Sequence, residues 1–390
     1  MKIAIATTGR FHVLDLAREL SLLGHDVAFY SYLPQRRSVR FGLPPQCHRG
    51  LLFWLFPLLV LQLFAGRRLK QLVDPWLLRY ADWLIALRLQ PCDIFIGMSG
   101  LCIQSAIVAR NRYGAKVFIE RGSRHILSQK EILDAIKATV PEMDTVPAYA
   151  VTRNLKSTIL ADVVVVPSVH VAKSFTERGF NPDRLFVNPY GVDLNQFVPT
   201  PTPDDATPTV IYVGSWSYQK GCDLLSAALI RFNGRVQLLH VGELADAPFP
   251  TQTWFQHRDP VPQWQLKDWY SQAHVFVLAS RQEGLALVQA QALACGLPVV
   301  CTDRTGGSDL ASLIGLEHGV LVIKSDDVDA LVAGIEEMLN WAFKEYNCKQ
   351  SRDLLGDARH RLSWAAYGAR YSSYLLNSFM TKETQSLTSN

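Results

Sequence analysis

Short runs of apolar, β-branched residues alternate with stretches of helical periodicity along almost the whole chain. In the first cycle, residues 2–7 (KIAIAT) predict a strand, and residues 12–23 carry apolar side chains at helical spacing before Gly24. The later strand-like runs are residues 26–32, 92–98, 116–120, 162–168, 209–214, 236–242, 275–280, 298–302 and 319–323. Strands that are apolar throughout and separated by helices are typical of parallel sheets covered on both faces. The sequence therefore predicts an α/β fold.

The alternation is interrupted once, at residues 198–208 (VPTPTPDDATP), whose Pro, Thr and Asp content indicates a linker. Two doubly wound domains are therefore expected, over residues 1–197 and 209–362. The last ten residues, 381–390, are polar and predict a disordered tail. In open α/β sheets, ligands bind beyond the carboxyl ends of the strands, so the loops that follow the strands should line a cleft between the domains.

Composition excludes several classes of protein. The net charge is +4, and no dense basic tract is interleaved with aromatic residues, so nucleic acid is not an expected partner. The seven cysteines are scattered and include no C-x-x-C pair, which argues against a zinc site or a disulfide framework and favours a reducing cytoplasm. The apolar run after Met1 is too short for a signal peptide.

Residues 51–65 (LLFWLFPLLVLQLFA) form the most apolar segment. As a helix it would extend about 22 Å, short of the ~30 Å hydrocarbon core of a bilayer, and Pro57 interrupts it. The basic residues that flank it are Arg49, Arg67, Arg68 and Lys70. Two interpretations remain open: a buried helix, or a surface helix in which residues 49–70 contact an anionic membrane face.

Glycines mark the loop after the first strand of each domain. Gly9 stands at a strand-to-helix turn that could present backbone N–H groups to an anion or serve only as a tight turn, and no G-x-G-x-x-G pattern accompanies it. The missing pattern argues against a dinucleotide cofactor. In the second domain, Lys220 follows Gly214 by six residues and could reach a phosphate, or it could be an ordinary surface lysine.

The stretch from Glu283 to Pro298 (EGLALVQAQALACGLP) predicts a helix from about Ala286 to Ala294, after a strand. The free N–H groups at residues 285–288 could hold a diphosphate. Glu283 beside them would bind a hydroxyl group, or would only favour the helix dipole. Gln291, two turns into the helix, could offer its amide to the vicinal hydroxyls of a sugar.

This stretch resembles the E-x7-E signature of retaining glycosyltransferases of family 4, which have the GT-B fold. Other segments are similar to that family in the same order: residues 7–30, 189–197, 213–221 and 362–375. The resemblance implies two facing Rossmann-like domains and a C-terminal helix, residues 363–380, that crosses back to the first domain. It also implies transfer of a sugar from a nucleotide-sugar donor to a glycan or lipid-linked acceptor.

The resemblance also implies roles for individual residues. Glu283, Lys220 and His125 would act at the reacting sugar, with Lys220 meeting the charge of the leaving nucleoside diphosphate. Gln291 occupies the position of the ribose-binding glutamate, and the loop near Val261 would contact the base. The remaining residues expected at the donor phosphates are Gly9, Gly214, Ser215, Gly284, Leu285, Ala286 and Leu287.

The chain departs from the family pattern at two of these positions. Ser215 stands where the family has an arginine, and Arg281 is the candidate to replace that cation. Gln291 replaces a carboxylate and can bind hydroxyls only without charge assistance. The D-x-D at residues 327–329 is interpreted as a helix cap, so neither a metal nor another cofactor is expected.

Two other functions remain alternatives. A GT-B sugar-nucleotide epimerase would share the donor site, and the substitutions at Ser215 and Gln291 would suit a non-catalytic sugar-nucleotide-binding subunit. The leading expectation is a cytoplasmic glycosyltransferase of polysaccharide or glycolipid synthesis, peripheral to the inner membrane face if residues 49–70 bind lipid.

Overall fold

The computed structural model describes residues 1–64, 66–141, 143–203, 207–315, 319–345 and 352–387, with the backbone alone at residues 67, 68, 70, 71 and 379–387. Within these residues the two strand-rich regions form separate parallel sheets. Residues 204–206 of the expected linker and the last three residues of the expected tail lie outside the described residues.

The first sheet has seven described strands in the order β3-β2-β1-β4-β5-β6-β7, and every pairing is parallel. The strands of its centre are buried along nearly their full length because both faces are covered by helices. Their bounds are Lys2–Ala6 (β1), Asp26–Ser31 (β2), His48–Gly50 (β3), Ile94–Met98 (β4), Lys116–Glu120 (β5), Val163–Val166 (β6) and Leu185–Val187 (β7).

The second sheet has six described strands in the order β10-β9-β8-β11-β12-β13, again all parallel. Its bounds are Thr209–Val213 (β8), Gln237–Val241 (β9), Phe255–Arg258 (β10), Val275–Leu278 (β11), Val299–Thr302 (β12) and Val320–Ile323 (β13). Both sheets thus share the doubly wound order in which the strand sequence reverses beside the first strand. The predicted α/β fold with two Rossmann-like domains is confirmed.

The helices connect the strands and cover the sheets. Those of the first domain are His12–Leu22 (α1), Gln35–Arg40 (α2), Leu52–Phe64 (α3), Arg67–Arg88 (α4), Gln104–Tyr113 (α5), Ile126–Thr139 (α6), Ala148–Leu160 (α7) and Val169–Thr176 (α8). The later helices are Cys222–Arg231 (α9), Leu266–Tyr270 (α10), Leu287–Ala294 (α11), Gly307–Ile314 (α12), Val328–Glu345 (α13) and Trp364–Leu387 (α14).

The apolar segment around Pro57 forms α3, and this helix lies on the surface. Only Leu55 of the helix is buried, whereas Phe53, Leu63 and Phe64 are each about four-fifths exposed. The interpretation as a buried helix is therefore wrong: α3 packs against α4 and leaves its other side exposed. Nowhere in the described ranges does a helix have both the length and the apolarity needed to cross a bilayer.

The final helix, α14, returns to the first domain as expected. It packs on α1, where Gly368 lies directly against Glu19, and His25 bonds to Ser372 at 2.8 Å. The helix continues to Leu387, so residues 381–387 are helical rather than a disordered tail. No glycine or proline follows Gly368, and the added turns contain helix-favouring Lys, Glu, Gln and Leu, which explains the extension.

Replacing Gly368 by alanine tests the packing of this crossover helix on α1. An added Cβ would overlap Cβ of Glu19 and lie 3.1 Å from its Cγ. Overpacking costs about 1–3 kcal/mol, which exceeds the ~1 kcal/mol that alanine gains over glycine in a helix. Gly368→Ala should therefore lower the urea midpoint, whereas Ala369→Ser on the exposed face of α14 should leave it nearly unchanged. A more stable Gly368→Ala protein would contradict this packing.

Candidate active site

A cavity of about 850 Å³ lies between the two domains, at the carboxyl edges of both sheets. The loops after β1 and β8, the first strands of the two sheets, contribute to its walls, as the strand order requires. From the first domain it is lined by Arg10, Phe11, His12, Gly122, Ser123 and Tyr190, among others. The second domain contributes Gly214, Ser215, Lys220, Gln263, Trp264, Glu283 and residues 285–288, among others.

Lys220 and Glu283 face each other in this cavity. Lys220 lies just before α9, and Gly221, with a φ of 68°, turns the chain between Lys220 and the helix. Glu283 follows β11. Nζ of Lys220 forms an ion pair with Oε1 of Glu283, and Ser280 Oγ donates to the same oxygen at 3.4 Å. The two charges therefore neutralise each other. An anion that took over Lys220 would free the Glu283 carboxylate to accept hydrogen bonds from hydroxyl groups.

The start of α11 provides backbone donors beside this pair. Its N-cap, Ala286, has no side chain that could satisfy the first turn, and Leu285, Ala286 and Leu287 line the cavity. The first four N–H groups of a helix have no intrahelical acceptor, and the helix dipole adds positive potential there. The amide of Gln289 bonds back to the carbonyl of Ala286 at 3.1 Å. The amide of Ala286 donates to the carbonyl of Thr305 at 3.4 Å, so the N–H groups of Leu287 and Val288 are the ones that remain suited to a phosphate.

The loop after β8 is held in a conformation that requires glycine. Gly214 has a φ of 146°, and Tyr212 donates to the carbonyl of Ser215 at 2.7 Å. Nε2 of His240 donates to the carbonyl of Gly214 at 2.8 Å, so Nδ1 of that ring accepts from His257 at 3.0 Å. Burial lowers the pKa of His240 to about 4, which keeps this ring neutral. Both residues of the loop are thus fixed at the cavity wall.

The first domain closes directly over Glu283 and Gly284. Ser168 Oγ donates to the carbonyl of Gly284 at 2.9 Å, and Nε2 of His170 donates to the carbonyl of Glu283 at 3.1 Å. A Cβ on Gly284 would overlap the carbonyl group of Gly122, whose carbon would be 2.7 Å away. Gly284 is therefore a packing requirement between the domains, in addition to its place beside α11.

Arg281 does not line the cavity. Its guanidinium binds both carboxylate oxygens of Asp223 at 2.6 and 2.7 Å and Asp326 at 2.7 Å. Burial by itself would lower the pKa of Arg281, but the hydrogen bonds and charges of these two carboxylates raise it. The structure thus does not support Arg281 as the replacement for the cation missing at Ser215, because its charge is already matched by carboxylates.

His125 also lies away from the cavity. It caps α6, where Nδ1 accepts from the amide of Leu127 at 3.4 Å, and its ring packs edge-on against Phe175. Burial and the nearby Arg121 and Arg178 lower its pKa to about 4. In this conformation His125 caps α6 and is not among the residues that line the cavity.

Three further candidates lie behind the cavity wall. Gln291 is buried and its Oε1 accepts from Tyr270 at 3.3 Å. Gly9 and Val261 precede lining residues by one and two positions, respectively, without lining the cavity themselves. The D-x-D segment caps a helix as expected, since Asp327 accepts from the amide of Ala330 at 2.9 Å. No group of three potential metal ligands occurs among the described residues.

Sequence reasoning missed most of the first-domain lining, including Arg10, Arg40 and His12. Arg10 donates to Gln263 across the cleft at 2.8 Å, and the guanidinium of Arg40 lies 4.8 Å from the ring centroid of Trp264. Both cations come from the first domain, opposite the loop in which Ser215 lacks a charge. The third residue, His12, pairs with Glu120 at 2.9 Å. Arg10 and His12 could have been predicted from the sequence, because they follow β1, whereas nothing in the sequence distinguishes Arg40.

Comparison with known proteins agrees with this geometry. Residues 207–340, which contain Lys220, Glu283 and α11, match the family model described as glycosyl transferases group 1. D-inositol 3-phosphate glycosyltransferase of Xylanimonas cellulosilytica is 31% identical over 191 residues, 42% of each chain. Alpha-maltose-1-phosphate synthase of Mycolicibacterium smegmatis is 28% identical over 49% of this chain and 56% of that protein. The chain thus spans about half the length of these relatives.

Solved structures extend the similarity to the whole chain. Sucrose-phosphate synthase from Thermosynechococcus elongatus superposes with a TM-score of 0.65 at 19% identity, covering 98% of this chain and 100% of that one. Anabaena HepE in complex with UDP-glucose gives a TM-score of 0.60 at 16% identity, covering 97% and 100%. The fold is GT-B. At these identities the structural similarity shows the fold alone, and the sequence match to glycosyl transferases group 1 is confined to residues 207–340.

Replacing Gly284 by alanine tests whether the first domain closes on this motif. The added Cβ would collide with the Gly122 carbonyl, and the domains would have to separate to make room. We expect amide hydrogen exchange at residues 122–123 and 168–170 to rise about tenfold, which corresponds to about 1.4 kcal/mol of the cost of overpacking. Gly66→Ala, where the Cβ would meet no atom within 4 Å, is the control. Equal exchange in the two variants would disprove the closed contact.

Proposed function

We propose that this chain transfers a sugar from a nucleotide-sugar donor to a glycan or lipid-linked acceptor, as a retaining glycosyltransferase of family 4. One observation carries the proposal: Lys220, Glu283 and the uncapped start of α11 meet on one wall of the cavity between the domains. These are the groups that a sugar diphosphate needs, namely a cation, backbone donors and a carboxylate for hydroxyls.

The chemistry follows from where charge develops. When the bond between the anomeric carbon and the diphosphate breaks, negative charge grows on the phosphate oxygens. Lys220 and the N–H groups near Leu287 would meet that charge with donors that are already in place. Arg10 or Arg40, from the opposite wall, would add the positive charge that Ser215 does not supply. Glu283, released from Lys220 by the phosphate, would then orient the hexose through its hydroxyls.

Retention of configuration is the proposed stereochemical course. The described carboxylates that line the cavity are Asp15, Asp193 and Glu283. Asp15 is bound to Arg18 at 2.7 Å, Asp193 accepts from the amide of Asn195 at 3.0 Å, and Glu283 is paired with Lys220. With phosphate on Lys220, Glu283 would be engaged by the hydroxyls of the hexose instead, so a covalent sugar–carboxylate intermediate is disfavoured. The acceptor hydroxyl would attack from the face of the departing phosphate and pass its proton to a phosphate oxygen.

Lys220 provides the first test. Calorimetric titration with UDP-, GDP- and ADP-sugars should identify a donor, and transfer should follow when a glycan or lipid acceptor is added. Lys220→Met should lower kcat/KM about 10²–10³-fold, the loss typical of removing one donor from a developing oxyanion. Lys173→Met, at a side chain that is 73% exposed, is the matched control.

The products discriminate between the alternatives. A new sugar nucleotide formed from donor alone would indicate an epimerase, and donor binding without transfer to any acceptor would indicate a non-catalytic subunit. The anomeric configuration of the product, read by NMR, tests retention separately.

A lipid-linked acceptor is proposed from the exposed apolar surface of the first domain. This surface, which we call the apolar face, combines Phe53, Phe56, Leu63 and Phe64 of α3 with a stripe on α4 formed by Leu72, Trp76, Trp83 and Leu87. The spacing on α4 keeps the stripe on one side of the helix. The side chains of the flanking Arg67, Arg68 and Lys70 lie outside the described residues. An anionic, cytoplasmic membrane surface is the partner that this combination of apolar and basic residues would suit.

Vesicle flotation tests the apolar face. Phe56→Glu/Leu63→Glu places charges at side chains that are 58% and 78% exposed, so it should abolish binding to anionic vesicles without destabilising the fold. Ile230→Glu, at an exposed position of the second domain, should float as the wild type does. Equal flotation of the double variant and the wild type would exclude this surface as a membrane contact.

A further inference from the structure

A buried chain of polar groups connects the cavity to the crossover helix. His12, the first residue of α1, contacts Oε2 of Glu120 through Nε2 at 2.9 Å. The other oxygen of Glu120, at the end of β5, accepts from the hydroxyl of Tyr371 at 2.8 Å. The three residues are only 8%, 1% and 0% exposed, respectively. Glu120 and Tyr371 belong to elements far apart in sequence, so these polar side chains meet only in the folded protein.

The carboxylate fixes the tautomer of His12. One oxygen of Glu120 takes the Tyr371 hydrogen, and the other accepts from Nε2–H of the imidazole. In the neutral ring the lone pair is then on Nδ1. The ring is also held against Tyr190, with a centroid distance of 4.3 Å and an interplanar angle of 31°. Both the orientation and the hydrogen-bonding pattern of His12 are therefore set before any ligand arrives.

Nδ1 of His12 has no hydrogen-bond partner in the part of the chain that the structure describes, although His12 lines the cavity. If His12 only satisfied the buried carboxylate of Glu120, its second ring nitrogen could be enclosed by apolar side chains. Here that nitrogen belongs to a residue on the wall that faces Lys220 and Glu283 across the cleft. In its neutral form the ring therefore offers one hydrogen-bond acceptor on the wall of the cavity.

We propose that Nδ1 of His12 accepts a hydrogen bond from a sugar hydroxyl in the cleft, with Glu120 and Tyr371 as positioning residues. This inference rests on the proposed function and specifies how the first domain recognises the sugar. The hydroxyl belongs either to the hexose of the donor or to the acceptor, since both meet in the same cavity. Because Tyr371 belongs to α14, the packing of this helix on the first domain would also affect recognition of the sugar.

Two substitutions separate the two ring nitrogens. In His12→Gln the amide can still reach Glu120 but provides no acceptor at the Nδ1 position. In His12→Asn the amide oxygen lies near the place of Nδ1 while the contact with Glu120 is lost. His12→Gln should therefore lose sugar recognition and His12→Asn should retain part of it, whereas a purely structural role predicts the opposite order.

The readout is the ratio of affinities for the nucleotide sugar and the free nucleoside diphosphate, measured by calorimetry with the tightest ligand of the UDP-, GDP- and ADP-sugar panel. If the hydroxyl is on the donor, His12→Gln lowers this ratio about tenfold, the effect of about 1.4 kcal/mol for one lost hydrogen bond. If it is on the acceptor, the ratio is unchanged and the KM for the acceptor rises by a similar factor.

Tyr371→Phe keeps the inference testable if the His12 variants do not fold. It lies outside the cavity and should shift the same readout in the same direction by a smaller factor, whereas a structural role would change only the melting temperature. Unchanged affinity ratio and acceptor KM in both His12→Gln and Tyr371→Phe would overturn the assignment alone. A wild-type protein that binds no nucleotide sugar would overturn the proposed function and the assignment with it.

Discussion

The close approach of Gly284 to Gly122 is the constraint on which the site depends. The loop after β11 carries Glu283 and leads into α11, and the first domain touches it where no side chain could fit. Hydrogen bonds from Ser168 and His170 to the carbonyls of residues 283 and 284 fix the peptide in that place. The position of Glu283 is therefore set by both domains at once, so any opening of the cleft would disturb the carboxylate and the helix start together.

Charge within the cleft is arranged so that a ligand must exchange partners. Lys220 is neutralised by Glu283, and Arg281 behind them is held by Asp223 and Asp326. An arriving diphosphate would replace one carboxylate at Lys220 and leave Glu283 available for hydroxyls, so phosphate binding prepares sugar binding. Arg281 would not take part, because its guanidinium is already bound by Asp223 and Asp326 and does not line the cavity.

The sequence predicted what depends on local pattern and failed where contacts come from distant segments. The alternation of strands and helices predicted both sheets, and the loops after β8 and β11 led to Gly214, Lys220 and Glu283. Arg281 could not be assigned correctly, since its partners Asp223 and Asp326 are 58 and 45 residues away. The pairing of His12 with Glu120 spans 108 residues and leaves no local signature. The family resemblance placed His125 in the cleft, where the structure instead uses it to cap α6.

The crossover helix links these observations. Its residue Gly368 brings α14 against α1, and the following turn places Tyr371 on Glu120, which holds His12 at the first residue of the same α1. The segment that leaves the second domain thus supports the first-domain wall of the cavity. Because α14 is covalently continuous with the second domain, a rotation between the domains would strain this contact as well as the one at Gly284. Closure of the cleft and orientation of His12 are for this reason expected to change together.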